Sequence, residues 1–190
     1  MKTARLLLLA AVLITFSKVG LATTVIPPSF DQLVQQAEVI FQGSVTDVRS
    51  QWVGEGAQRH IISYITFNVE DSLKGVPGQS YTMQMFGGIV GGEGMTISDA
   101  PKFKVGDRDI LFVENNGTQV VPLVGIMHGR FHVERDQSGQ EIVTLNEGAP
   151  VKSVAQLGLG REGTAPTSAE PNLSAAAFKA AVRSRLQAAQ

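Results

Sequence analysis

The chain has 190 residues, 43% of them hydrophobic and 17% charged, with 16 lysines and arginines against 17 aspartates and glutamates. It contains no cysteine, which excludes disulfides, thiol nucleophiles, thiolate metal sites and cysteine lipidation together, so stability has to come from a packed core. A near-neutral balance also lacks the basic footprint that a phosphate backbone requires, and nucleic acid is not an expected partner.

The chain opens "MKTARLLLLAAVLITFSKVGLATT". Lys2 and Arg5, an apolar run from Leu6 to Phe16 and the small residues Gly20 and Ala22 have the order of a secretory signal peptide, so residues 1–22 are predicted to be cut off after Ala22. The run is shorter than the roughly 20 residues that span a bilayer, and Lys18 interrupts it. No stable membrane span is expected after cleavage, and the expected location is the periplasm or outside the cell. Losing Lys2, Arg5 and Lys18 takes the 16 basic residues to 13 against 17 acidic ones, a net charge of −4.

Residues 23–150 read as one β domain. "SFDQLVQQAEVIFQGSVTDV" begins with a capping box, Ser29 with Gln32 three positions on, and Pro27-Pro28 blocks backward extension. Phe30, Leu33, Val34 and Ala37 share a face, which predicts a short helix. From Val39 the period changes to two: Val39, Phe41, Gly43 and Val45 point one way, Gln42, Ser44 and Thr46 the other. Gly43 in mid-strand predicts a bulge or bend. "RHIISYITFNVEDSLKG" alternates as a half-buried strand, and "SYTMQMF", "RDILFVE", "PLVGIMHGRFHVE" and "QEIVTLN" supply further strands. About six short strands without intervening helices predict an all-β fold, a barrel or sandwich. Residues 151–171 read as a linker. Residues 172–190 read as a helix capped by Asn172 or Ser174, with an apolar stripe of Leu173, Ala177 and Ala181 beside Phe178, Val182 and Leu186.

"GGIVGGEG", residues 87–94, has the glycine density of a phosphate loop. Matching Gly87 and Gly92 to that motif puts Glu93 where the lysine belongs and Gly94 where the hydroxyl belongs. The dinucleotide fingerprint fails at Ile97, and Pro101 follows where a helix should run. A mobile loop between two strands is the expectation, with Gly87, Gly88, Gly91 and Gly92 as a contact surface. "MHGRFHV" supplies a second candidate surface, a polar strand face of His128, Arg130 and His132 with pH-sensitive charge. Four residues of strand span roughly 13 Å, too far for His128 and His132 to share one metal. Asp107 and Asp109 in "VGDRDILF" read as a solvated start of a strand. No nucleophile elbow is present, and no metal or cofactor site is expected.

Three stretches, "FDQLVQQAEVIFQGSVTDV", "ISYITFNVEDSLKG" and "FKVGDRDILFV", together resemble the netrin-like modules, the group that includes the tissue inhibitors of metalloproteinases. The likeness covers about residues 29–135. It implies a five-stranded Greek-key barrel of the oligonucleotide/oligosaccharide-binding (OB) type, in which Gly43 would serve the bend of the first strand. The family's inhibitory chemistry does not carry over, because it uses a disulfide-anchored N-terminal cysteine and the predicted N-terminus here is Thr23. The expectation is thus an OB-like barrel of five to six antiparallel strands with a short N-terminal and a C-terminal helix. As to function, it is an exported, non-catalytic module binding an unknown protein or other envelope component. The alternative is an exported hydrolase whose site is assembled from strands without a linear motif.

Overall fold

The structure, a computed structural model, describes residues 27–159 and 171–189. The predicted signal peptide and most of the predicted linker lie outside them. The elements are α1 (Phe30–Gln36), β1 (Val39–Val53), β2 (His60–Lys74), β3 (Ser80–Phe86), β4 (Gly88–Val90), β5 (Glu93–Met95), β6 (Arg108–Val113), β7 (Arg130–Arg135), β8 (Glu141–Leu145) and α2 (Ala175–Ala188).

The capping box of α1 forms as the sequence predicts. The Gln32 amide donates to Ser29 Oγ (3.3 Å) and the Ser29 amide to Gln32 Oε1 (2.8 Å). At its other end Lys74 Nζ donates to the carbonyls of Val34 and Gln35, at 2.8 and 3.1 Å, satisfying two of the acceptors a helix leaves open.

Six strands pair antiparallel in the order β3-β2-β1-β6-β7-β8, while β4 and β5 form a separate two-stranded hairpin. β1 is an inner strand, paired with β2 on one side and β6 on the other. Its pairing with β2 shifts at Ile40/Phe41, Gln42/Gly43 and Val45/Asp47. A Cβ on Gly43 would lie 2.7 Å from the Asn68 carbonyl, so the expected bulge is real and only glycine fits it.

The sheet curls but does not close: among the described residues no strand pairing joins β3 to β7 or β8. Both free edges are nonetheless occupied. On β3, the Gln84 amide donates to Asn116 Oδ1 (2.9 Å) and the Phe86 amide to the Val120 carbonyl (2.9 Å). On β8, Thr144 bridges to Pro150 and Ile142 to Ser174. An edge covered in this way offers no template to another chain. Residues 151–159, expected to open a linker, instead pack on the domain. Val151 is buried, and its amide donates to the Val143 carbonyl.

Each face of the sheet has its own core. On one face Ile40, Ile110, Phe112, Phe131, Val133 and Val143 meet α1 and α2. On the concave face Phe41, Val45, Ile65, Phe67, Met83 and Leu111 meet Val121 and Leu123 of the β6–β7 connection, with Ile97, Ala100 and Phe103 at the margin. The alternation predicted for β1 sends Phe41 and Val45 to the second set and leaves Ile40 to the first, while β2 adds Ile65 and Phe67 to the second.

One predicted strand is shorter than expected. Of "PLVGIMHGRFHVE" only Arg130–Arg135 is strand, because Gly125 and Ile126 both take left-handed backbone angles, with φ of 63° each. His128 therefore sits in a turn and not on the strand face.

Candidate functional site

The glycines of residues 87–94 build structure rather than a loose loop. Val90 pairs with Glu93, so Gly91-Gly92 is a two-residue hairpin turn, and both take positive φ (60° and 87°). Such turns match the twist of the flanking strands and exclude most side chains. Gly87 and Gly88 are also left-handed, with φ of 94° and 137°. Gly88 lies directly over the β1–β2 ladder: a Cβ there would sit 2.3 Å from Ser50 Oγ and 2.4 Å from Ser63 Oγ.

Beneath this hairpin lies a cavity of about 390 Å³. Its floor is the concave face of β1, β2 and β3, through Val48, Ile65 and Met85. Its walls come from Ile89 and Met95 of the hairpin and from residues 96–103. The polar side chains of the lining are Ser50, Ser63, Thr96 and Lys102. Ser50 and Ser63 face each other across β1 and β2, their Oγ atoms 2.8 Å apart, and Ser63 donates to the Gly87 carbonyl at 2.7 Å. Lys102 is the one charged residue among the described residues of the lining.

A second constellation adjoins the cavity through Phe103. Asp109 is 0% and Arg130 2% exposed, so neither belongs to a solvated face. Arg130 Nε and Nη2 donate to Asp109 Oδ2 at 3.1 and 3.0 Å, Nη2 also reaches Asp107 Oδ2 at 2.7 Å, and Nη1 donates to the Lys102 carbonyl at 2.7 Å. The guanidinium lies 3.9 Å from the centre of the Phe103 ring. His132 Nδ1 is 2.7 Å from Asp109 Oδ1. Its hydrogen bond with Asp109 raises the His132 pKa above the ordinary value, while burial and the Arg130 charge oppose the rise. His128, half-buried in its turn, is pushed down by burial, with Glu147 opposing.

The sequence-derived site residues thus separate. Gly87 and Gly88 line the cavity, and Gly91 and Gly92 form the exposed hairpin tip. Arg130 and His132 come together on Asp109, Arg130 buried and His132 partly exposed, and His128 stands apart from them. The expected solvated pair is also corrected: Asp109 is buried and Asp107 is an ion-pair partner. A signal for this was present. "DILFV" has no polar alternation, which marks a strand buried on both faces, and a carboxylate at its head must then be paired. Asp109 holds one nitrogen of His132 at 2.7 Å.

What the arrangement can do chemically is enclose an apolar group against a rigid sheet, with Arg130 fixing the 102–103 segment that walls one side. Ser50 and Ser63 were missed by sequence reading, because their pairing depends on a register that three irregularities set. No family model, curated protein or solved structure matches this chain, so its function has to be argued from these residues.

Proposed function

We propose that this chain is an exported, non-catalytic binding module, an OB-like relative of the netrin-like modules, which recognises a protein or other envelope component in the periplasm or outside the cell. The observation that carries this reading is the cavity of about 390 Å³ beneath the glycine hairpin. Its volume falls within the roughly 300–1,000 Å³ of ligand sites, and its lining has their character, mostly apolar with a few placed polar groups. Ile89, on the hairpin at the cavity mouth, is 73% exposed, an apolar side chain held out where a partner would meet it. The strand order supports the OB-like part of the reading. β1, β2 and β3 follow one another, and β6 returns through a long connection to lie beside β1, which is the order of a Greek key.

Hydrolysis finds less support. A catalytic base needs a free nitrogen or carboxylate beside a nucleophile in a pocket, and the His132–Asp109 pair is not part of the cavity lining. The test is a photo-crosslinking residue at position 89, with one at Val76, 96% exposed in the β2–β3 turn, as control. Irradiation in the native envelope followed by mass spectrometry should yield an adduct from position 89 and none from position 76. Identical adducts from both positions, or none from 89, would remove the reading.

A further inference from the structure

The hydroxyl chemistry of the cavity narrows what it can hold. Ser63 has one hydroxyl hydrogen, and the Gly87 carbonyl, which can only accept, takes it at 2.7 Å. The 2.8 Å contact between Ser50 and Ser63 must then use the hydrogen of Ser50. The relay runs Ser50 to Ser63 to Gly87, and Ser50 Oγ is left with lone pairs alone. Gly88 leaves room for both hydroxyls, since any Cβ there would collide with them. Against such a floor an ether oxygen sets lone pair against lone pair. An ammonium meets the charge of Lys102, the charged residue of the lining. A neutral hydroxyl satisfies both, giving its hydrogen to Ser50.

We infer that the cavity binds a small, mostly apolar molecule through a hydroxyl group that donates to Ser50 Oγ. This rests on the proposed role of the cavity as the recognition surface. The volume, more than ten times the roughly 30 Å³ that one water takes, leaves room for an aliphatic or aromatic body of that kind.

Methionines give a local readout. Met85 and Met95 line the cavity, whereas Met83 is buried in the core and Met127 lies in the β6–β7 connection. With methyl-labelled methionine, octan-1-ol should shift the Met85 and Met95 resonances and leave that of Met127 in place. Its isomer 1-methoxyheptane accepts a hydrogen bond but cannot donate one. It should bind about fivefold more weakly, the worth of one ordinary hydrogen bond. Ser50→Ala should abolish the preference for alcohol over ether. Ser63→Ala, which frees the Ser50 hydrogen to donate to an ether oxygen, should narrow that preference.

Equal binding of alcohol and ether would overturn the inference, as would Met85 and Met95 resonances that neither of the two moves. Unchanged Met83 and Met127 resonances in the variants show that the fold is intact. If no probe enters the cavity while position 89 still crosslinks, the ligand class falls and the binding module stands. If octan-1-ol binds as described and position 89 captures nothing, the reverse holds.

Discussion

His132 and His128 are both half-buried yet shift in opposite directions, and the difference lies in what each ring touches. His132 hydrogen-bonds a carboxylate with no exposure of its own, so the imidazolium is favoured in spite of burial and of Arg130. His128 has burial against it and only the Glu147 charge in its favour. The unfolded chain titrates both near 6.5. The stability His132 contributes is therefore fully present below about pH 6.5 and is lost as pH rises through its raised folded value. The His128 contribution is present above about pH 6.5 and is lost as pH falls through its lowered folded value. The urea midpoint of the protein should accordingly peak near neutrality. His132→Gln should remove the decline on the alkaline side and His128→Gln should soften the one on the acid side. Lowered carboxylates such as Asp71, where burial is outweighed by the hydrogen bonds and charges of Lys179 and Arg183 together, act at lower pH. A His132→Gln profile that still declines above neutrality as steeply as the parent would show that the Asp109 contact does not set the titration.

At the scale of elements, α2 shows how packing overrides pattern. Its apolar stripe is mostly alanine, and the sequence gives Leu173, Ala177 and Ala181 equal weight with Phe178. In the structure Ala175, Phe178 and Val182 are buried and Ala177 is exposed, so the helix is turned by about one position toward Phe178. That ring meets Phe30, Phe112 and Phe131 with centroids 5.6, 6.1 and 4.9 Å away. Phe178→Ala should cost about 3–5 kcal/mol by urea unfolding, as large truncations in a filled core do. Arg183→Ala, at a half-exposed pair with Asp71, should cost at most about 1 kcal/mol. Comparable losses in the two variants would mean that charge, not the ring, docks the helix. The same contrast explains what was legible in the sequence. The cap of α1, the Gly43 bulge and the alternation of β2 are local signals, each read from neighbouring residues. The turn at 122–129 hides behind apolar residues that resemble a strand, and only the left-handed backbone at Gly125 and Ile126 reveals it.

For the whole molecule, the decisive fact is that one sheet serves two cores and β1 belongs to both. Ile40 packs with the helices and its neighbour Phe41 with the concave face, each fully buried. The cavity exists because the concave core stops short of the glycine hairpin, and the hairpin could be recognised from sequence while the space beneath it could not. That space is lined by residues from 48 to 103, whose approach depends on a register that β1 shifts three times. A slip of one residue would send every side chain of the strand to the opposite face, so neither core can form in correct register without the other. The two should therefore melt as one unit. Ile40→Ala and Phe41→Ala should each cost about 2–5 kcal/mol, and in each variant the methyl resonances of Met83 in the concave core and Val182 in the helical core should disappear at the same urea concentration. Coincidence of probes is the mark of an all-or-none transition. If Phe41→Ala lost the Met83 signal while Val182 kept its native position, the helices and their face of the sheet would be an independent unit. The shared strand would then not couple the cavity to the rest of the fold.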